Sequence, residues 1–213
     1  MKRFFWVFLF ALTFAYVESA IVVYLRKIFY PEGFGFPLYL EVSEIAFIEL
    51  GREACTLIML AAVGIMAGKT RWERISLFLF AFGIWDIFYY VWLKVFLNWP
   101  PSLLTWDLLF LIPVPWCAPC LAPIIVAFSM AAAGLFIVRH ERKGQTIRMT
   151  PLDILLIALA GISTFISFIW DFRPVINNGI PVYYHWEMLI LSELAGIFVL
   201  LRVLHIIKRP RAV

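Results

Sequence analysis

Residues 44–60, EIAFIELGREACTLIML, set three acids and one arginine into an otherwise apolar run. Glu49 and Glu53 are four residues apart, so a helix presents both on one face. Arg52 follows Glu49 by three residues and adjoins Glu53, within reach of Glu49 or of an acid on another helix. Carboxylates and a guanidinium in that pattern suit proton transfer, cation binding or a structural ion pair. Glu18, Asp86, Asp107, His185 and Glu187 also lie in or beside apolar runs. An ionisable group at the bilayer centre costs about 2.5–3.5 kcal/mol on insertion scales. Such groups persist by pairing, by holding an ion or by facing water.

Three kinds of chemistry follow. The first is a carboxylate metal site, with Glu18, Glu49, Glu53 and His185 as ligands. Oxygen donors with one imidazole suit a divalent metal such as iron, manganese or zinc. The chain departs from the four-helix di-metal pattern, because it holds no Glu-x-x-His. The second is metal-free acid–base work or proton-coupled transport, for which Asp86, between Trp85 and Tyr89, is the natural carrier. Transport has less support, since the chain is short and shows no inverted repeat. The third is a structural ion-pair network, with the chain as a non-catalytic small subunit of a larger membrane complex. Across these readings the expected catalytic residues are Glu49, Arg52, Glu53 and Asp86. Tyr89, Trp106, Asp107 and Trp116 are expected to contact substrate, a lipid-soluble or extracytoplasmic small molecule.

The pentapeptide Trp116-Cys117-Ala118-Pro119-Cys120 has the spacing of a thioredoxin-like redox motif. Such motifs need a strand ahead of the cysteines, and a membrane relay needs a second cysteine pair. No strand is expected there, and Cys55 is the one cysteine left. Cys117 and Cys120 are therefore read as coincidental, with no redox role.

These residues need a bundle to position them. The chain has 213 residues, 64% of them hydrophobic and 18% aromatic. A soluble domain of that length could not hide so much apolar surface, so the expected class is an all-α integral membrane protein. Apolar runs predict six transmembrane helices at roughly 4–25, 45–67, 75–97, 108–138, 152–172 and 187–207, forming one domain. Pro113, Pro115, Pro119 and Pro123 crowd the fourth run, which predicts a proline-rich irregular or re-entrant lead-in to the fourth span. The N-terminal run outlasts a signal-peptide core and lacks a small-x-small cleavage site, so it is expected to stay as a helix.

Basic residues set the orientation. Lys2, Arg3, Lys69, Arg71, Arg74, Arg139, Arg142, Lys143, Arg148, Lys208, Arg209 and Arg211 fall on the side of the termini. Arg26, Lys27, Lys94 and Arg173 fall opposite. By the positive-inside rule both termini are expected to be cytoplasmic, in the cell (plasma or inner) membrane. The net charge of +4 is accounted for by topology and indicates no nucleic-acid partner. The expected partners are the lipid bilayer and other membrane proteins or a second copy. All eight tyrosines, at 16, 24, 30, 39, 89, 90, 183 and 184, map to the outer half, as do most of the acids. That asymmetry predicts a polar cup in the extracytoplasmic half of the bundle.

Overall fold

The structure, a computed structural model, describes residues 2–38, 44–145 and 147–208. Tyr39, Arg209 and Arg211, named above, lie outside the described residues, as do the side chains of Glu44 and Lys208. The elements in order are α1 (Lys2–Phe29), α2 (Glu44–Ala67), α3 (Arg71–Leu97), β1 (Trp106–Phe110), β2 (Trp116–Pro119), α4 (Leu121–Arg142), α5 (Pro151–Ile169), α6 (Phe172–Ile176) and α7 (Trp186–Lys208). Five stretches are long and apolar enough to cross a membrane: α1, α2 from Ile45, α3, α4, and Pro151–Ile176. This is the architecture of a helical multi-pass membrane protein.

Local signals account for several helix ends. Thr70 accepts the Glu73 N–H at 3.1 Å, and Glu73 returns the favour by accepting the Lys69 N–H at 2.8 Å. Together they start α3. Asn98 ends it in the left-handed conformation at φ 52°. A capping box of Thr150 and Asp153 starts α5, with Pro151 in its first turn.

Helix α3 is the hub, packed on α1, α2 and α4. Glycines let α3 and α4 approach backbone to backbone. A Cβ at Gly83 would overlap the Ala127 carbonyl oxygen and lie 2.8 Å from the Ala131 nitrogen. A Cβ at Gly134 would overlap the Ser76 carbonyl oxygen. Leu60, Leu77, Trp85 and Val138 form the apolar core between these helices. Helices α5 and α7 pack on each other and meet α4 only sparsely. A cleft therefore opens between the α1–α4 group and the α5–α7 pair.

Between α3 and α4 lies an antiparallel hairpin, and this corrects the expectation that no strand precedes the cysteines. Trp106 pairs with Pro119, Asp107 with Ala118 and Leu108 with Cys117, with a register slip before Phe110. Pro113 and Pro115 sit in the connection, where a missing N–H removes no ladder bond. Trp116 Nε1 closes the connection by donating to the Ile112 carbonyl at 2.8 Å.

Candidate functional site

Three helices and the hairpin bring the charged residues together. Arg52 on α2 forms ion pairs with Glu18 on α1 and with Glu49 one turn earlier on α2. Its Nε also donates to Glu49 Oε2 at 2.9 Å. Thr56, four residues on, donates from Oγ1 to Glu18 Oε1 at 2.8 Å. Glu18 is 3% exposed, so these donors are what replaces water around its carboxylate. Glu53 turns to the hairpin, where both of its oxygens accept the Leu111 N–H, at 3.0 and 2.8 Å. Ser19 Oγ reaches the Tyr89 carbonyl at 3.1 Å and pins α1 to α3 at the same level.

A second ion pair lies beside the first. Arg26 Nη2 meets Asp107 Oδ1 at 2.8 Å, and both residues are buried. Tyr90 donates its hydroxyl to Asp107 Oδ2 at 3.1 Å, and the Leu108 N–H lies 2.9 Å from Oδ1. The Arg26 guanidinium lies 3.8 Å from the Trp99 ring centre and 4.2 Å from that of Phe34. Burial pushes the Asp107 carboxyl pKa upward, while Arg26 beside it pulls the other way.

A cavity of about 890 Å³ runs through the cleft. Glu18, Glu49, Arg52, Glu53, Asp86, Tyr89 and Trp116 all line it. Asp86 is half-buried and makes no ion pair or hydrogen bond among the described residues. Trp85, also on the wall, is 5% exposed, and its Nε1 has no hydrogen-bond partner there. The rest of the wall is mostly apolar, from α3, α4, α5 and α7. One polar pair interrupts it: Ser129 on α4 donates to Glu193 on α7 at 2.5 Å.

Some expected residues stand elsewhere. Asp107 does not line the cavity; it sits behind Arg26 and Tyr90, which do. Trp106 packs in the hairpin against Tyr184, with ring centres 6.3 Å apart, and does not reach the cavity wall. His185 bonds Glu187 at 2.6 Å and lies against Trp170. The ligand set Glu18, Glu49, Glu53 and His185 is therefore not assembled. Among the described residues no group of three or more His, Cys, Asp or Glu is arranged to hold a metal ion. The residues do not fit iron, manganese or zinc, because arginine and backbone donors already occupy the carboxylates and the imidazole is elsewhere.

All three cysteines are free thiols, Cys55 exposed and Cys117 and Cys120 buried. Cys117 lies in β2, and Cys120 caps α4. Burial pushes the Cys117 thiol up to about 12 and raises that of Cys120 as well. A redox thiol needs the opposite shift.

Sequence reading missed Arg26, Tyr90 and Thr56. Thr56 was visible in the spacing, four residues after Arg52 on the same face. Arg26, read from the sequence only as a charge on the side opposite the termini, stands in the last turn of α1. The available signal was a lone arginine followed by an aromatic-rich loop containing Tyr30 and Phe34.

No known protein family, curated protein or solved structure matches the chain. Its function is therefore argued from the site alone.

Proposed function

We propose that the chain is a six-span protein of the cell (plasma or inner) membrane that binds a lipid-soluble small molecule in this cavity. Helix α7 supplies the sixth span, which puts both termini in the cytoplasm by the distribution of basic residues. The charged end of the cavity then lies in the extracytoplasmic half, covered by the β1–β2 hairpin.

One observation carries this reading. A single cavity of about 890 Å³ has most of its ionisable groups gathered at one end and mostly apolar side chains along the rest, where Ser129 and Glu193 are the polar pair. That volume is within the range of about 300–1,000 Å³ typical of small-molecule sites. The division of its wall matches a molecule with a polar head and an apolar body. Helices α4 and α7 touch sparsely, which leaves a lateral route from the lipid.

Within this reading the charged residues divide the work. Arg52 is neutralised by Glu18 and Glu49 and holds α1 against α2. Glu53 fixes the hairpin over the site. Asp86, without a partner among the described residues, is the carboxylate that meets the bound molecule and gives or takes a proton if chemistry follows.

Extraction of co-purifying lipids, read by mass spectrometry, tests the proposal. Protein purified in mild detergent should retain one amphiphile species at near-stoichiometric amount, and Asp86→Asn should reduce it. Recovery of bulk lipids alone, in the proportions of the membrane, would overturn the reading. A second reading, a non-catalytic subunit, is favoured by the closure of Arg52, Glu18 and Glu49 on one another. It predicts co-purification with a larger membrane protein and instability of the isolated chain.

A further inference from the structure

The charge balance at the polar end selects a class of ligand. Among the described residues Arg26 and Arg52 are the two cations that line the cavity, against Glu18, Glu49, Glu53 and Asp86 at the same end. Both cations are already matched. Arg52 serves Glu18 and Glu49, and Arg26 serves Asp107 under two aromatic faces. Glu53 is held by the Leu111 N–H. Asp86 alone among these carboxylates has no hydrogen bond or ion pair within the described residues, and it is half-buried against the cavity.

An anionic head would find no unpaired counter-charge among the described residues here and would face surplus carboxylate. A neutral head would leave Asp86 either uncompensated away from bulk water, which is costly, or protonated, and would gain no charge-assisted contact from it. A cation resolves both. Among the described residues Arg26 Nη1 and Trp85 Nε1 are buried donors without hydrogen-bond partners.

Resting on the lipid-cavity reading above, we infer that the bound molecule is a cationic amphiphile. Its ammonium head meets Asp86, and its apolar chain lies along the wall built by α4, α5 and α7. The selectivity comes from charge at one end, while the chain supplies affinity without discrimination.

Three probes with the same twelve-carbon chain test this: dodecylamine, dodecanol and dodecyl phosphate. Each is titrated calorimetrically into the full chain in a nonionic detergent at pH 7. The amine should bind at least about tenfold more tightly than the alcohol, as one charge-assisted contact would give, and the phosphate most weakly. In Asp86→Asn the amine should bind no more tightly than the alcohol. Binding of the alcohol with no amine preference, or tightest binding of the phosphate, overturns the head assignment and leaves the lipid cavity standing. An amine preference that persists in a folded Asp86→Asn chain overturns Asp86 as the counter-ion. If none of the three binds, both this inference and the cavity reading are overturned. Should Asp86→Asn fail to fold, the ranking in the unaltered chain decides.

Discussion

Arg52 shows what individual side chains do here. One guanidinium answers two carboxylates on different helices, and Thr56 supplies the remaining donor to Glu18. Removing one partner of a buried pair costs about 3–5 kcal/mol, because the other charge is left uncompensated. Arg52→Ala should therefore destabilise the fold by an amount of that order, read as a lowered unfolding temperature in detergent. Replacing the whole network at once, with Arg52→Met, Glu18→Gln and Glu49→Gln, should recover most of the loss. A triple variant as unstable as Arg52→Ala would show that the charges themselves are needed. The face carrying Glu49, Arg52 and Glu53 was legible in the sequence because helical spacing is a local property. The Arg26–Asp107 pair was not, because its members are 81 residues apart and joined only by folding. His185 misled for the same reason. Its chemistry suited a metal, but the short bond to Glu187 two residues on fixes it away from the cavity.

Among the elements, the α3–α4 pair and the hairpin decide where the site can form. Gly83 and Gly134 permit the close approach of α3 to α4, and Trp85, next to Asp86 on α3, lies with its ring centre 6.4 Å from that of Phe110 in the hairpin. Gly83→Leu should clash with the Ala127 backbone and cost at least about 1–3 kcal/mol, the usual range for overpacking. Gly51→Ala, whose Cβ would meet nothing within 4 Å, is the control and should leave the unfolding temperature unchanged or slightly raised, since alanine suits a helix interior better than glycine. Equal effects from both would contradict the account of the interface. Apart from the fourth, whose run from 108 holds the hairpin before α4 begins at Leu121, apolar runs located the helices to within a few residues, because about 20 consecutive apolar residues leave little choice of structure. The hairpin escaped the same reading. Its strands, WDLLF and WCAP, are short and proline-flanked, and strand pairing depends on a partner that periodicity cannot identify. Glu53 anchoring the Leu111 N–H is one such tertiary choice.

For the whole molecule, the division into an α1–α4 group and an α5–α7 pair matters most. The two parts leave a cleft whose one polar crossing along the apolar wall, among the described residues, is the bond from Ser129 to Glu193. Composition alone announced a membrane bundle, and the clustering of acids toward one end was visible once helices were placed in order. The cleft was not visible, since it arises from helices that fail to pack. The proposed function depends on that space being filled by a molecule rather than by collapse of α7 onto α4. A density map of the full chain in lipid nanodiscs tests this most directly. The account predicts elongated density in the cleft, with its head within hydrogen-bonding distance of Asp86. A cleft closed by direct packing of α4 on α7, with Asp86 paired to a protein side chain, would contradict it.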